Sequence, residues 1–317
     1  MTPTVENYQP GSLGKFYYNA ETAAYPAGSA VPAPAVPVSV VWGGWADVPD
    51  ENVDDGSREV YSLGSDDPQL VIPGGRIHTL GVTTRLANKP LLQKCIKGSG
   101  GFRDLADLCL VTGTSTAGGS RALRFAKCNT LTIAFQEGSA QDITAAMEFW
   151  GLAEEGGSDL TPTAADILSP GTPLTWHNVT EVNIGPANVR DVISGITLTV
   201  NNNLERKGFR PDYGTASPWS RTTYALLPRQ KSYRAELSFH TPDVARYVLG
   251  LVASGTATGA FSIVVTDSGS SIQGASARTF TFSAAAGRIA TRTRRGGDPA
   301  QELTGTVTLI LTGVSIT

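Results

Sequence analysis

The chain has 317 residues, enough for one large domain or two ordinary ones, and a formal net charge of −3. Charged residues make up 17% of it, below the roughly 25% of an average soluble protein. So small a net charge gives no electrostatic reason to expect a nucleic-acid partner. No apolar run approaches the roughly 18 residues of a membrane-spanning helix, which argues against a membrane protein.

The three cysteines, Cys95, Cys109 and Cys128, all lie in the first half and show no CxxC spacing. An odd number of cysteines at such spacings predicts reduced, partly buried thiols in a reducing compartment. The N-terminus lacks the basic-then-apolar pattern of a secretory signal. We therefore expect a soluble chain that is made and assembled in a cytoplasm.

Residues 1–37 contain six prolines, a density that disfavours helices and central strands and predicts an extended arm. Within this arm Phe16, Tyr17 and Tyr18 could form a short strand or an anchor docked on a neighbouring subunit. Their aromatic side chains favour docking, so these three residues are candidates for contacts between subunits.

Residues 38–155 are predicted to form a first β domain that begins with an apolar core strand at 38–45. An acidic segment, residues 47–67, follows as a predicted solvated loop; it includes Asp50, Asp54, Asp55 and Glu59. Alternating strands are expected within residues 70–86, broken at 73–75, and at 129–136. Ser139 then has the character of an N-cap for an amphipathic helix over residues 140–152.

Residues 156–173 are rich in Gly, Pro, Ser and Thr and are predicted to form a linker. A second β domain is expected over 174–317. It has an alternating strand at 196–200, a long loop at 201–234 and a returning strand at 235–239. Thr241, Pro242 and Asp243 are typical of a helix start and predict a helix over residues 242–253. Further alternating strands are expected near residues 261–265, 280–282 and 307–311.

The two halves share a pattern of alternating strand, polar cap residue and amphipathic helix. Strand 131–135 and the helix at 140–152 match strand 235–239 and the helix at 242–253. Upstream strands at 80–84 and 196–200 also match. Self-similarity over so long a period predicts one unit used twice, each copy burying its own helix against its own sheet.

No catalytic or cofactor motif is present, so we expect neither an enzyme nor a cofactor. Asp50, Asn52, Asp54 and Asp55 resemble part of a calcium loop. However, Gly56 falls one place late and Tyr61 occupies the twelfth position, which favours a solvated acidic loop instead. His78, His177 and His240 are widely separated and have no metal-ligand spacing.

The long loop mixes basic and aromatic residues. Its conspicuous members are Phe209, Tyr213, Trp219, Arg221 and Tyr224. Such interleaving can bind single-stranded nucleic acid, or the arginines can simply be solvated on an exposed hairpin. A lone loop exposing this much apolar surface would be a liability, so packing against another subunit is favoured. A second basic stretch lies at residues 288–295.

The chain resembles the tail tube proteins of long-tailed bacteriophages, and the best match is in its second half. The segments that carry the resemblance are 176–182 (WHNVTEV) and 191–204 (DVISGITLTVNNNL), followed by the long loop and a returning strand. The first half resembles a diverged second copy, with 14–19 (GKFYYN) and 75–80 (GRIHTL) in comparable places.

This resemblance implies two tandem β-sandwich or barrel domains, each with one flanking helix. Six such domains form a ring around a channel for double-stranded DNA, so three chains would fill a ring, and rings stack into the virion tail. The implied partners are further copies, a tape measure protein and tail terminator and tip proteins. Genomic DNA would pass without specific binding, and assembly would take place in the host cytoplasm.

Stacked rings would bring different faces together, so we expect the acidic residues Asp50, Asp54, Asp55 and Glu59 to meet the basic loop of the next ring. The alternative is a β-sandwich of another class, either a virion decoration or adhesion protein or a carbohydrate-binding protein.

Overall fold

The computed structural model describes residues 15–21, 41–43, 46–47, 50–54, 58–61, 67–68, 70–72, 75–97, 105–113, 121–138, 142–156, 173–211, 221–240, 259–267, 278–295 and 304–317. Most of them lie in antiparallel strands, so the expected mainly-β class is confirmed. In these ranges the α-helical structure is a single short helix, α1 (Lys89–Lys94), and short 3-10 turns occur at Trp176–Asn178 and Arg190–Val192.

The strands fall into two groups along the chain. The first half contains β1 (Lys15–Ala20), β2 (Val41–Trp42), β3 (Asp50–Asp54), β4 (Arg58–Val60), β5 (Leu70–Ile72), β6 (Gly75–Arg85), β7 (Leu108–Gly113), β8 (Arg121–Gln136), β9 (Thr144–Gly151) and β10 (Ala153–Gly156). The second half contains β11 (Val179–Ile184), β12 (Ala187–Asn188), β13 (Ile193–Asn201), β14 (Leu204–Pro211), β15 (Arg221–Pro228), β16 (Ser232–Phe239), β17 (Phe261–Asp267), β18 (Arg278–Ala284), β19 (Ala286–Arg295), β20 (Thr304–Thr312) and β21 (Ser315–Ile316).

One antiparallel sheet runs across both halves, in the order β3-β6-β9-β8-β13-β16-β20-β19. The halves meet where β8 pairs with β13, with Ile133 opposite Leu198 and Leu131 opposite Val200. All four side chains are buried. The expectation of a separate sheet for each half is therefore wrong. Pairing these two apolar strands removes two open sheet edges from water.

The same strand order occurs in both halves. In each group of four, the strands stand in the order first, second, fourth, third along the chain: β3-β6-β9-β8 and β13-β16-β20-β19. The remaining strands also correspond. In the first half their order is β2-β1-β7-β8-β10, in which only the start of β8 takes part. In the second half their order is β12-β11-β17-β18-β21. β8 is continuous where the second half has two strands, β18 and β19.

The equivalent strands of the two halves, as this strand order defines them, differ from those that the sequence pattern matched. The counterpart of β16 is β6, and the counterpart of β13 is β3. The sequence pattern instead matched residues 235–239 with 131–135. Alternating apolar strands resemble one another too closely for spacing alone to identify the matching pair.

The smaller sheet, β12-β11-β17-β18-β21, packs against the main sheet. Phe135 of β8 and Phe282 of β18 meet edge to face, with ring centroids 5.6 Å apart. One cluster of buried apolar side chains includes residues of both halves, among them Leu80, Leu131 and Leu309. The core is therefore continuous along the chain.

The first predicted helix is wrong, because residues 144–151 form β9 between β6 and β8. Ile143, Met147 and Trp150 have helical spacing, but the buried positions are Ala145, Met147 and Phe149, which alternate as in a strand. The helix predicted at 242–253 lies outside the described residues. The sequence pattern missed α1, which is only six residues long, although Asn88 caps it by accepting a hydrogen bond from the Leu91 amide.

Most predicted strands are confirmed: residues 80–84, 129–136, 196–200, 235–239, 261–265, 280–282 and 307–311 lie in β6, β8, β13, β16, β17, β18 and β20. The acidic segment differs from the predicted loop, since it contains β3 at a sheet edge and β4, which pairs with β5. Charged residues are common on edge strands because they discourage unwanted pairing. The long loop at 201–234 contains the hairpin β14–β15.

A buried ion pair holds β1 to β8 where β8 passes from one layer to the other. Glu21 accepts hydrogen bonds from Arg124 Nε at 2.8 Å, from Nη2 at 2.9 Å and from the Phe125 amide at 3.0 Å. The side chain of Arg124 is 1% exposed and that of Glu21 is 3% exposed. Phe125 has a φ of 50°, an unfavourable conformation for a bulky residue that needs such support.

We expect Glu21→Ala to lower the free energy of unfolding by about 3–5 kcal/mol, because it leaves the Arg124 guanidinium buried without its carboxylate. Chemical denaturation of unassembled chain measures the effect. The control is Asp191→Ala, which removes an exposed pair with Arg190 and should cost at most about 1 kcal/mol. Equal effects of the two substitutions would contradict this role of Glu21.

Tyr233 of β16 supplies a pH-dependent contribution to stability. Its side chain is buried, and burial raises its pKa to about 12, whereas a tyrosine in the unfolded chain ionises near pH 10. The unfolded state therefore loses its proton first as the pH rises. We expect stability to fall between about pH 10 and pH 12 and the fall to be shallower in Tyr233→Phe, measured by denaturation at each pH. An unchanged slope would contradict the assignment.

Candidate assembly surfaces

The two edges of the main sheet carry opposite charges. β3 at one edge contains Asp50, Glu51 and Asp54, and β19 at the other contains four arginines: Arg288, Arg292, Arg294 and Arg295. Among the described strands, β3 pairs only with β6 and β19 only with β20. Each strand thus has one side without a strand partner in this part of the chain, and an edge of this kind is a template for pairing with another chain.

The face of the main sheet that points away from the core is rich in threonine. Its central strands carry these partly exposed residues: Thr79, Thr83, Thr130, Thr132, Thr197, Thr199, Thr306 and Thr308. A groove crosses β6, β9 and β8 on this face, lined by Asp50, Thr83, Thr132 and Ala146. The charged residues on the face are of both signs and include Arg234 and Glu236, both exposed. The surface is polar without a single dominant charge.

The hairpin β14–β15 of the second half docks on the first half. Leu226 is buried in a cluster with Phe125 and Leu152. The guanidinium of Arg206 lies 4.0 Å from the ring centroid of Trp150, a cation–π contact. β15 also pairs in parallel with β6 at Gly75 and Arg76.

The basic charge of this hairpin has acidic neighbours in its own chain. Burial lowers the pKa of Arg206, while the nearby carboxylates of Glu148 and Asp54 favour its charged form. Arg229 pairs with Glu205 across the hairpin. The acidic segment and the basic loop are therefore partly matched within one chain.

The three arm aromatics occupy a different place from the one expected. The side chains of Phe16, Tyr17 and Tyr18 are 2%, 4% and 3% exposed, and their strand β1 pairs with β2 and β7 of the same chain. They are core residues and not contacts to a neighbouring subunit. Burial also raises the pKa of both tyrosines.

The other candidates for contacts between subunits are spread over two surfaces. Phe209 belongs to β14, and Arg221 and Tyr224 belong to β15. Their side chains lie outside the structural description, as do Tyr213 and Trp219 altogether. Among the acidic candidates, Asp50 and Asp54 are exposed on β3 and Glu59 is exposed on β4. Asp55 lies outside the described residues.

Exposed apolar side chains are a feature that the sequence pattern did not predict. Six large ones occur among the described residues: Val53, Val60, Tyr61, Leu70, Val71 and Ile310. Val53 is on the acidic edge, four more are on or beside the hairpin β4–β5, and Ile310 is on β20. The available signal was the apolar run at residues 70–72, in which Leu70 and Val71 are exposed.

The described residues contain no group of three or more His, Cys, Asp and Glu residues that could hold a metal ion. Residues 50–54 are an extended strand, which does not fit a calcium-binding loop. Nδ1 of His78 lies 3.6 Å from Oε2 of Glu154, and Nε2 of His240 lies 2.7 Å from Oε2 of Glu137.

The three cysteines are free and buried, as the sequence predicted, and burial raises the pKa of Cys128. In the described ranges no helix has the length and apolar character needed to cross a membrane.

Comparison with known proteins gives one family. Residues 103–218 match the sequence model of the phage tail tube protein family. The matched segment includes β7, β8, β9, β10, β11, β12, β13 and β14 and ends before β15. None of the curated proteins compared with the chain matches it. Together with the mainly-β fold, this match over residues 103–218 supports a relationship of the chain to phage tail tube proteins, which are structural components of the virion tail.

Proposed function

We propose that this chain polymerises as stacked rings, with three chains in each pseudo-six-fold ring, and that the tube conducts double-stranded DNA during ejection. The observation that carries the proposal is the repeated strand order, joined side by side in one antiparallel sheet of eight strands. A chain that supplies two equivalent four-stranded blocks, β3-β6-β9-β8 and β13-β16-β20-β19, fills two of the six positions in the ring. Three chains then complete a ring in which every position is structurally alike.

The proposed domains follow the repeat. The first tube-like unit covers residues 38–155 together with β1 from the arm, and the second covers 174–317, with 156–173 as the linker. β1 belongs with the first unit because it occupies the place that β11 occupies in the second. In this proposal the remaining part of residues 1–37 is the extended arm.

The threonine-rich face of the main sheet is the proposed wall of the channel. DNA is retained where lysine and arginine neutralise successive phosphates. A face dominated by hydroxyl groups, with charges of both signs, offers no such continuous array. It would let DNA pass without holding it.

The proposed stacking contact is the segment 209–224, which begins within β14 and ends within β15, with the candidates Phe209, Tyr213, Trp219, Arg221 and Tyr224. Its acidic counterpart in the next ring would come from the candidates Asp54, Asp55 and Glu59, whereas the fourth candidate, Asp50, lines the groove across β6, β9 and β8. Tail completion would further require a tape measure protein and terminator and tip proteins, all assembled with the tube in the host cytoplasm.

Electron microscopy of purified chain at increasing concentration tests the ring. We expect tubes or stacked rings, and we expect mass measurement of single rings to give three chains each. Six chains per ring would contradict the stoichiometry. Compact particles that never stack, at any concentration, would contradict the tube assembly itself and favour a decoration or adhesion protein.

The stacking contact predicts a ranking of two substitutions. Trp219→Ala should weaken polymerisation more than Arg221→Ala, because a buried aromatic contributes more at an interface than an exposed ion pair of about 0.2–1 kcal/mol. Only the arginine effect should fade as salt is added. Light scattering at two salt concentrations measures both. Normal tube assembly after deletion of residues 209–224 would exclude this loop as the stacking element.

A further inference from the structure

We propose that the ring closes through β19 of one chain pairing antiparallel with β3 of the next, with Arg295 opposite Asp50 and Arg294 opposite Glu51. The partner is a second copy of this chain. The inference rests on the ring proposed above and goes beyond it by naming the strands, their register and the side chains that select the contact.

The strand order identifies the two edges as counterparts of the internal junction. β13 holds the same place in the second half that β3 holds in the first, and β19 corresponds to the main-sheet part of β8. Since β8 and β13 pair inside the chain, β19 and the next chain's β3 are positioned to pair between chains. Strand directions alternate across the eight strands, so the two edges run in opposite directions and the new pair is antiparallel.

Two β-bulges fix the register. β8 carries one extra residue between Cys128 and Thr130 where it pairs with β9, and β19 carries one between Ile289 and Thr291 where it pairs with β20. Aligning these bulges makes Thr130 equivalent to Thr291. Bulges set local twist and are specific features of a strand pair.

The same alignment extends across the sheet. In the first half Thr130 lies opposite Glu148, which lies opposite Gly81. In the second half Thr291 lies opposite Thr308, which lies opposite Glu236. Gly81 lies opposite Asp50, and Glu236 lies opposite Thr197. Asp50 is therefore the equivalent of Thr197, and β3 can be placed residue by residue on β13.

Transferring the internal register gives the external one. Thr197 lies opposite Ala134, Leu198 opposite Ile133 and Thr199 opposite Thr132. The equivalent pairs between chains are Asp50 with Arg295, Glu51 with Arg294, and Asn52 with Thr293. Val53 then lies opposite Arg292.

The pairing explains why the two junctions differ in chemistry. The internal junction is apolar and cannot be exposed, whereas the edges of a free chain must remain soluble until they meet. An acidic edge repels a second acidic edge and a basic edge repels a second basic one, so only the head-to-tail pairing is favoured. Val53 is 41% exposed while its internal equivalent, Val200, is 0% exposed, as expected for an edge that still lacks its neighbour.

The exposed hairpin β4–β5 fits the same contact. It lies between β3 and β6, as β14–β15 lies between β13 and β16. The hairpin β14–β15 covers Trp150 of the preceding block, and by the bulge alignment the equivalent of Trp150 is Ile310. Val60, Leu70 and Val71 on β4–β5 would cover the exposed Ile310 of the neighbouring chain in the same way. One contact thus accounts for five of the six exposed apolar side chains, and the sixth, Tyr61, lies beside the hairpin.

Disulfide crosslinking tests the register. A chain carrying Asn52→Cys and Thr293→Cys, oxidised after assembly, should give covalent dimers and closed trimers on a non-reducing gel, because directly opposed residues have Cβ atoms about 4.5–5.5 Å apart. The matched control carries Asn52→Cys and Thr291→Cys, which are displaced by two positions and should crosslink at least severalfold less. The native thiols are buried, so the unsubstituted chain should give no ladder.

Charge exchange tests the selecting interaction. Glu51→Arg should raise the concentration needed for tube assembly about tenfold or more, and Glu51→Arg combined with Arg294→Glu should recover most of that loss. Glu181→Arg, on β11 away from the edge, is the matched control and should assemble normally. Loss of assembly in both the single and the exchanged chain would contradict the Glu51–Arg294 pairing.

The outcomes separate this inference from the ring itself. Tubes that form without a crosslink between positions 52 and 293 of neighbouring chains, or with stronger crosslinking in the control pair, would overturn the β19–β3 register and leave the tube function standing. An unsubstituted chain that never forms rings or tubes would overturn the tube function, and the proposed contact would fall with it.

Discussion

The structure depends on one requirement, that the backbone groups at the edges of a β-sheet find partners. The two four-stranded blocks of the main sheet satisfy it for each other where β8 meets β13, and this junction converts two sheets into one. Asn202, immediately after β13, reinforces it by donating from Nδ2 to the carbonyls of Cys95 at 2.8 Å and Cys128 at 2.9 Å. The layers, the hairpin β14–β15 and the continuous core are all positioned by this joining of strands.

The repeat is preserved in strand order and divergent in chemistry. Equivalent positions carry Leu131 and Ile133 on β8 but Arg292 and Arg294 on β19, and Leu198 and Val200 on β13 but Glu51 and Val53 on β3. A duplicated unit that repeated its apolar edges would aggregate without a defined end. The division into one apolar junction and two charged edges gives the chain a single continuous core and leaves it two edges of opposite charge.

The sequence predicted the strands well because their apolar residues alternate, as in residues 196–200 and 307–311. It failed at residues 140–152, where Ile143, Met147 and Trp150 fit a helical period while pairing with neighbours on both sides imposed a strand. The joining of β8 to β13 is a contact between distant segments and leaves no local signal. Phe16, Tyr17 and Tyr18 were misplaced for a related reason, since aromatic residues in a proline-rich arm look the same whether they pack on their own chain or on a neighbour.

The apolar junction has a consequence for folding. Leu131, Ile133, Leu198 and Val200 are buried only while both halves are in place, so opening either half exposes the strand edge of the other. Neighbouring elements that share buried surface in this way unfold together. We therefore expect the two halves, which are repeats in topology, to unfold as one cooperative unit.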